Sequence, residues 1–291
     1  MRDHGATASQ PVQSAASLKR EPCKMPEIRQ LATLLRTSLR GPVRSLWRKV
    51  RGNPELHLLR LLSDPDRLSV DVGANAGDYA VFLARHNKGC VAFEPNPELA
   101  RRIQERYGAK GVRIHACALS DREDQVTLSI PVVDGVEHSA LATIEPGNRV
   151  RDLATRTVIV RCCRLDSFGL EPVGVIKIDA EGHEEAVLQG CEALIERDRP
   201  NFLIEAEDRH RPGSVQAIRE ILESRGYRGF MLERRKLRPI EEFDLARHQD
   251  MANVMLDAVI DGRTYVNNFA FSRDPIVVDR LSMLAARAKA L

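Results

Sequence analysis

The order of apolar and polar positions divides the chain into three regions. Residues 1–25 are polar and charged without regular apolar spacing. Such a segment buries too little surface to offset its loss of conformational entropy, which predicts disorder. Over residues 26–52 apolar side chains recur at helical spacing on both sides of Gly41 and Pro42, which predicts two short amphipathic helices. From Leu68 onwards short apolar runs alternate with helical segments, as is typical of a parallel sheet with crossover helices.

The individual runs give the predicted elements of this α/β domain. Strands are predicted over residues 68–72, 89–93, 112–118, 173–178, 201–206, 227–232 and 264–271, and helices over 78–86, 98–107, from about 184, over about 214–225 and at the C-terminus. Residues 126–130 and 157–163 are alternating or β-branched, which predicts a side hairpin. The polar loop between them, residues 133–156, is long for a compact domain, and such loops are often lids or binding loops.

Composition and charge exclude several classes of protein. The hydrophobic content of 43% is ample for a core, and no run approaches the roughly 20 apolar residues that cross a bilayer. Six cysteines lack the spacing of a zinc site or a disulfide scaffold, so we expect reduced, mostly buried thiols. The net charge of +3 is too small to indicate nucleic-acid binding. Without a signal-peptide pattern, the expected location is the cytoplasm.

The charge is unevenly distributed along the chain. The first 60 residues hold 12 Lys and Arg against 4 Asp and Glu, so a basic arm precedes an acidic body. Within this arm Arg36, Arg40, Arg44 and Arg48 form a stripe at helical spacing, opposite the apolar face. The stripe could rest on anionic lipid as a peripheral membrane contact, or it could be a solvated surface over a docked helix.

The first segment that carries chemistry is D-V-G-A-N-A-G, residues 71–77, between a predicted strand and a predicted helix. Its two glycines permit a tight turn and a close approach of the backbone to a ligand, which indicates a nucleotide-like cofactor. The segment is neither the G-x-G-x-x-G of dinucleotide sites nor a P-loop. Asp71, two residues before the first glycine, suits a cofactor that has a cationic amino-acid end and no pyrophosphate.

Two further strand ends lie where a nucleoside would bind. Glu94 ends the next apolar run, 21 residues after the first glycine of the turn, where a carboxylate can accept hydrogen bonds from both ribose hydroxyls. Asn96 and Pro97 have the residue types of a helix N-cap and first helical position. The third run ends in Ser120 and Asp121, which could offer backbone groups and a carboxylate to an adenine amino group or could form a charged turn.

The densest group of acids is K-I-D-A-E-G-H-E-E, residues 177–185. Alternation within the strand places Lys177, Asp179 and Glu181 on one side. Asp179 is interpreted as functional because it ends a strand at the edge where open α/β sheets bind ligands. His183 could be a neutral base near pH 7 at a helix N-terminus, or a half-exposed neighbour of the cap. The two glutamates that follow are interpreted as first-turn acids that complement the helix dipole.

Polar residues at the end of the next strand extend this group. Glu205 is a similar candidate, whereas Glu207 and His210 are interpreted as loop residues. Because Asp179, Glu181 and Glu205 could hold a magnesium ion, metal dependence is left open.

With D-V-G-A-N-A-G, A-F-E-P-N, A-L-S-D and K-I-D-A-E-G-H-E in this order, the chain resembles the FkbM family of S-adenosylmethionine-dependent methyltransferases over about residues 53–272. The resemblance implies a catalytic domain over residues 53–291 with a class I methyltransferase fold. That fold is Rossmann-like, with a mostly parallel seven-stranded sheet whose last strand is antiparallel. Members commonly methylate hydroxyl oxygens on macrolides, sugars and glycolipids, which implies a small-molecule, sugar or glycolipid acceptor.

The resemblance also assigns roles to residues. It implies that the turn lines the methionine end of S-adenosyl-L-methionine, that Glu94 holds the ribose, that Asp121 approaches the adenine and that Asp179 faces the methyl sulfonium. The cofactor-binding candidates are Asp71, Gly73, Ala74, Asn75, Gly77, Glu94, Asn96, Ser120 and Asp121, and the catalytic candidates are Asp179, Lys177, Glu181 and His183.

For the chemistry, we hypothesise that Asp179 or His183 takes the proton of an acceptor hydroxyl. Lys177 would orient the carboxylate and Glu181 would bind an acceptor hydroxyl. Residues 132–156 match the family poorly and are expected to select the substrate. Two alternatives stay open: a nicotinamide-dependent oxidoreductase, which shares a glycine turn followed by an acid, and a membrane-surface module that retains a degenerate methyltransferase body.

Overall fold

An eight-stranded sheet runs through the part of the chain that the computed structural model describes, namely residues 53–148, 153–255, 258–259 and 263–289. The predictions for residues 1–25 and 26–52 lie outside these described residues. The strands are β1 (Leu68–Val72), β2 (Cys90–Phe93), β3 (Val112–His115), β4 (Ala118–Leu119), β5 (Asp124–Val133), β6 (Val136–Glu137), β7 (Thr155–Cys163), β8 (Val173–Asp179), β9 (Asn201–Glu205), β10 (Arg228–Glu233), β11 (Lys236–Pro239), β12 (Val254–Met255), β13 (Ala258–Val259) and β14 (Asn268–Ser272).

Helices flank this sheet on both faces. They are α1 (Pro54–Leu62), α2 (Asp78–His86), α3 (Pro97–Tyr107), α4 (Glu184–Gln189), α5 (Glu192–Asp198), α6 (Ser214–Glu223), α7 (Leu245–His248) and α8 (Pro275–Lys289). One face packs against α4, α5 and α6, and the other against α1, α2, α3 and α8. Because both faces are covered, every residue of β1 is buried, as expected for a central parallel strand.

The strand order of the large sheet is β11-β10-β14-β9-β8-β1-β2-β3. Strands β3, β2, β1, β8 and β9 are parallel, and β14 lies antiparallel between β9 and β10. This arrangement confirms the predicted α/β fold with a mostly parallel sheet and an antiparallel last strand. The eighth strand, β11, was not predicted. It arises because the chain turns back at Arg234 (φ 58°) into a hairpin with β10, and its short K-L-R-P run carries little apolar signal.

Two predicted elements are divided in the structure. The bounds predicted for the strand over residues 112–118 are wrong. β3 ends at His115, and the chain then forms β4, which belongs to a second, smaller sheet. One apolar run in the sequence therefore covers strands of two different sheets. The helix predicted from about 184 ends at Gln189 and restarts at Glu192. A Cβ on Gly190, at this break, would overlap the carbonyl oxygen of Ser120.

The side sheet has the order β4-β7-β5-β6, and the predicted hairpin of β5 and β7 is confirmed. The five described cysteines are all buried free thiols, as expected, while Cys23 lies outside the described residues. In the described part of the chain, no helix has the length and apolar character needed to cross a bilayer.

The carboxyl ends of the parallel strands meet at one edge of the large sheet. There Val72 pairs with Phe93 on one side and with Ile178 on the other, and Asp179 pairs with Glu205. The glycine turn and the acids at the ends of β2, β8 and β9 are therefore brought together, although Gly73 and Glu205 are 132 residues apart along the chain.

Candidate active site

The glycine turn after β1 is held against two neighbouring strands. The backbone N–H groups of Gly73 and Ala74 donate to the Phe93 carbonyl oxygen, at 2.9 and 3.1 Å. Gly73 (φ 74°) has left-handed backbone geometry, and a Cβ on it would overlap the carbonyl oxygen of Asp179. The position therefore requires glycine both for its conformation and for its contact with the acidic segment after β8.

Glu94 stands over the turn and is fixed by backbone donors. The N–H of Asn75 donates to Oε2 at 2.7 Å and the N–H of Asn96 donates to Oε1 at 2.8 Å. Burial raises the pKa of Glu94 to about 7, although these two donors oppose the shift. Each oxygen keeps a lone pair for a ligand hydroxyl. Asn96 also caps α3 by accepting from the N–H of Glu98, and Pro97 is the first helical residue, which confirms both predictions.

A cleft opens between the turn, Glu94 and the acidic segment. The predicted candidates that line it are Gly73, Asn75, Glu94, Asp179, Glu181 and His183. Residues 139–144 of the long loop form the opposite wall, through Ser139, Ala140, Ala142 and Ile144. Part of the long loop therefore lines the cleft.

The other predicted cofactor residues support the cleft from behind. Asp71 and Ala74 are buried, and Gly77 lies against the Tyr107 ring at the start of α2. Ser120 is fully buried, and its hydroxyl donates to Asp121 Oδ1 at 2.9 Å. This hydrogen bond is the main reason that the pKa of Asp121 is lowered. Both residues follow directly on Ala118 and Leu119, which line the cleft.

Lys177 forms a buried ionic group beneath the cleft. Its Nζ lies 3.2 Å from Asp179 Oδ2, 3.8 Å from Asp71 Oδ1 and 4.6 Å from the centre of the Tyr79 ring. Burial disfavours the ammonium, but Asp179, Asp71 and Glu205 outweigh burial and raise the pKa of Lys177. Burial also raises the pKa of Asp71 to about 6, although Lys177 opposes it. The lysine stays charged and holds the Asp179 carboxylate in place.

His183 has a protein group at each ring nitrogen. Nε2 lies 2.9 Å from Ser120 Oγ and Nδ1 lies 3.0 Å from Glu145 Oε2. The ring is more buried than the half-exposed position considered from the sequence, with 9% exposure. Glu145 belongs to the long loop, so this histidine joins the loop to the start of α4.

Glu184 has a structural role, as the sequence suggested, and it performs this role by accepting hydrogen bonds. Its Oε1 accepts from the N–H of Gly182 at 2.9 Å and from that of Ala180 at 3.2 Å. The side chain is 1% exposed, and burial raises its pKa to about 7. Glu184 thereby fixes the turn that carries Glu181.

A second group of charges, around Glu181, was only partly predicted. His210 Nε2 lies 3.1 Å from Glu181 Oε2 and 3.6 Å from Glu207 Oε1. Burial would raise the pKa of Glu207, but His210 and Arg209 lower it to about 2. Burial, with the charge of Asp179, raises the pKa values of Glu181 and Glu205.

Glu207 and His210 lie in the loop after β9, as predicted, and His210 contacts Glu181, which lines the cleft. The available signal was E-A-E-D-R-H, an acid-rich strand end that resembles the one after β8. Glu145 and Asn148 had no such signal, since they lie in a loop without periodicity. In the described ranges no group of three or more His, Cys, Asp or Glu residues is arranged to hold a metal ion.

Comparison with known proteins agrees with this geometry. Residues 71–228 match the family described as the Methyltransferase FkbM domain, which is just over half of the chain. Methyltransferase 1 of Beauveria bassiana is 27% identical over 184 residues, which cover 56% of this chain and 72% of that protein. The 2-O-methyltransferase NoeI of Sinorhizobium fredii is 29% identical over 168 residues, which cover 52% of this chain and 69% of that protein.

A solved structure shows a weaker likeness. The crystal structure of Methyltransferase FkbM from Methylobacillus flagellatus aligns with a TM-score of 0.45 and 18% identity. The alignment covers 71% of this chain but only 44% of that one, so less than half the length of the solved chain is represented. A likeness at this level says nothing about activity.

Proposed function

The chain belongs to the FkbM family of methyltransferases, and we propose that it transfers the methyl group of S-adenosylmethionine to a hydroxyl oxygen of a sugar, glycolipid or secondary metabolite. The observation that carries this proposal is the single cleft in which Gly73 and Glu94 lie beside Asp179 and Glu181. One wall suits a nucleoside with an amino-acid tail, and the other suits a hydroxylated acceptor.

The residues present fit S-adenosylmethionine. The Glu94 carboxylate is held open towards the cleft by two backbone donors, which suits a ribose diol. Gly73 lines the cleft, and its lack of a side chain lets the turn lie directly against the Asp179 carbonyl oxygen at the edge of that cleft. Asn75, Ala118 and Leu119 line the same cleft. In contrast, the turn lacks the third glycine of a dinucleotide site, which together with the family match favours a methyltransferase over a nicotinamide-dependent oxidoreductase.

The acceptor proposal has separate support. NoeI, at 29% identity, is a 2-O-methyltransferase by name, which supports oxygen as the methylated atom. Carboxylates such as Asp179 and Glu181 accept hydrogen bonds from hydroxyl groups and thereby orient them. The buried lysine and the acids around it also argue against the alternative of a degenerate membrane-surface module, which would have no need for them.

Catalysis would rest mainly on alignment. When bound, S-adenosylmethionine supplies an electrophilic methyl group on a sulfonium sulfur. Lys177 fixes the Asp179 carboxylate at the end of β8, and residues 139–144 line the opposite wall of the cleft. A hydroxyl held in line by these groups reacts with a high effective concentration, which can supply about 7–11 kcal/mol of the barrier.

The acceptor can be found by transfer of label. The full chain, incubated with methyl-labelled S-adenosylmethionine, should label one or more of a panel of methyl glycosides, glycolipids and hydroxylated metabolites. A matched panel of primary amines should stay unlabelled. Transfer to the amines alone would overturn the assignment of oxygen as the acceptor atom.

Binding of S-adenosylhomocysteine is expected to weaken as the pH falls below about 7, where Glu94 becomes protonated. A protonated carboxyl presents an O–H towards a ribose hydroxyl or a backbone N–H and loses an acceptor position. Calorimetric titration across this range should show roughly tenfold weaker binding on the acid side.

The matched control for that titration is Glu94→Gln, which should bind weakly at all pH values. Any pH dependence left in this variant belongs to another buried acid, such as Asp71 or Glu184, whose pKa values are raised to about 6 and about 7. Equal wild-type affinity on both sides of the transition would remove Glu94 from the ribose site.

A membrane-bound acceptor would give the basic stripe outside the described residues a function. If Arg36, Arg40, Arg44 and Arg48 bind anionic lipid, the full chain should float with phosphatidylserine liposomes in low salt, and a variant with all four changed to Gln should float less. Equal flotation of the two proteins would identify the stripe as a solvated surface.

A further inference from the structure

Three side chains from distant parts of the chain meet behind the wall of the cleft. His210, from the loop after β9, points Nε2 at Glu181 Oε2 at 3.1 Å, and its side chain is 8% exposed. Asn148, from the long loop, lies on the opposite side of the ring, with Nδ2 3.0 Å from Nδ1. Glu181 itself lines the cleft. The three residues therefore form one connected group, with two hydrogen bonds from Asn148 and a 3.1 Å contact between His210 and Glu181 at the acceptor wall.

Asn148 fixes the direction of these hydrogen bonds. Its Nδ2 also donates to the Glu181 carbonyl oxygen at 2.8 Å, and a carbonyl can only accept, so the amide nitrogen must face this side. The same nitrogen then donates to His210 Nδ1, which must carry a lone pair. A neutral His210 ring therefore has its proton on Nε2, the nitrogen that lies 3.1 Å from Glu181 Oε2.

The backbone holds the histidine in this position. Gly182 (φ 100°) packs directly against it, since a Cβ on the glycine would lie 3.1 Å from His210 Cβ. On its other side Glu207 is held by Arg209 Nε at 2.5 Å and by the hydroxyl of Tyr265 at 2.5 Å. Glu207 thus has other partners, and of the two acids near His210 Nε2 Glu181 is the nearer one and the one that lines the cleft.

The other two candidate bases are more heavily occupied. Asp179 has the Lys177 ammonium 3.2 Å from its Oδ2, and a fixed positive charge weakens a base. His183 has Ser120 and Glu145 at its two nitrogens. Among the described residues, Glu181 has neither a cation nor two ring partners against it in this way, and it lines the cleft.

Resting on the function proposed above, we infer that Glu181 takes the proton of the acceptor hydroxyl, and that His210 and Asn148 are positioning residues that hold its carboxylate towards the acceptor. The acceptor oxygen forms its bond to the methyl carbon as the carbon–sulfur bond breaks and leaves its electron pair on sulfur. The O–H bond breaks, its electron pair stays on the oxygen, and the proton goes to Glu181 and from there to solvent.

The charges around Glu181 suit this role. Asp179 from β8, Glu205 from β9 and Glu207 from the following loop face it, and with burial they raise its pKa, while Arg209 opposes them. A carboxylate with a raised pKa is a stronger base near neutral pH. We therefore expect kcat to rise with pH as Glu181 ionises.

The positioning can be tested without turnover. NMR of the full chain labelled with 15N-histidine should show His210, assigned by the signals missing in His210→Gln, as a neutral ring protonated on Nε2 at mildly alkaline pH. Its Nε2 signal should shift in Glu181→Gln. In Asn148→Asp a carboxylate would face Nδ1, so His210 should be doubly protonated at the same pH. A wild-type ring protonated on Nδ1, or no response to Glu181→Gln, would overturn the inference.

Turnover on an acceptor found in the labelling panel provides the second readout. His210→Ala should lower kcat roughly tenfold. It should also move the acid limb of the kcat–pH profile to higher pH, because Glu181 loses the ring N–H that faces it. Asn148→Asp should move the limb the other way, and His210→Gln, which keeps a donor near Nε2, should recover most of kcat. The control is His248→Ala, which removes another buried histidine outside this group. The acid limb of its kcat–pH profile should stay in place.

The two proposals fail in different ways. An unchanged acid limb and kcat in His210→Ala would refute the positioning role while leaving the methyltransferase assignment intact. If no acceptor is labelled and S-adenosylhomocysteine does not bind, the proposed function fails, and the NMR result still decides whether His210 and Asn148 orient Glu181.

Discussion

Gly73→Ala should remove most of the affinity for S-adenosylhomocysteine, by roughly 100-fold or about 2.7 kcal/mol. Left-handed geometry at this position (φ 74°) costs a residue with a Cβ about 1–2 kcal/mol. The larger effect is steric, because the Cβ would overlap the Asp179 carbonyl oxygen and push the turn away from β8. The rise in melting temperature that S-adenosylhomocysteine produces in the wild type should disappear in the variant at the same ligand concentration.

Gly213→Ala is the matched control for this substitution. Gly213 also has left-handed geometry (φ 82°), but a Cβ there would meet no atom within 4 Å. The control carries the conformational cost without the overlap, so it should lower the melting temperature slightly and keep the full ligand-induced rise. If Gly73→Ala behaves like Gly213→Ala, the turn does not contact the cofactor in the way proposed.

Lys177→Met should cause the largest loss of stability, about 3–5 kcal/mol in the free energy of unfolding. The substitution leaves Asp71 (0% exposed) and Asp179 together without their shared cation. The pKa of Asp71, already raised to about 6, should rise further. Because the folded variant then binds a proton that the unfolded chain has released, its stability should fall as the pH increases from acid towards neutral and beyond.

Two comparisons separate this effect from a general loss of charge. The double variant Asp71→Asn with Lys177→Met should recover much of the stability, since one of the two uncompensated acids is gone. Lys88→Met removes a cation only 2.5 Å from Glu171, yet both side chains are more than half exposed, so no measurable change is expected. Urea unfolding at several pH values would contradict the prediction if Lys177→Met and Lys88→Met were equally stable.

The sequence predicted the parts of the site that follow strands. Glu94 and Asp179 lie at the ends of apolar runs, and Asp71 is the last residue but one of β1. In a parallel sheet such strand ends share one edge, so their proximity follows from the alternation of strands and helices. The glycine turn was recognisable because only glycine combines left-handed geometry with so close a backbone approach.

The residues that support Glu181 could not be found in this way. Asn148 reaches His210 across 62 residues of sequence, through a loop without periodicity, and His210 follows a strand only at a distance. Whether a histidine in such a loop is solvated or buried depends on the tertiary packing around Gly182 and Glu207, which no local pattern encodes. The boundary between β3 and β4 was missed for a related reason. A run of apolar residues indicates that a segment is buried, but it does not indicate which sheet the segment joins.

The direct test of the cofactor site is calorimetric titration of the full chain with S-adenosylhomocysteine and, separately, with NAD, at a pH above the Glu94 transition near 7. If the turn at residues 71–77 and Glu94 form an S-adenosylmethionine site, one molecule of S-adenosylhomocysteine should bind per chain and NAD should give no heat of binding. Binding of NAD with no binding of S-adenosylhomocysteine would contradict the assignment.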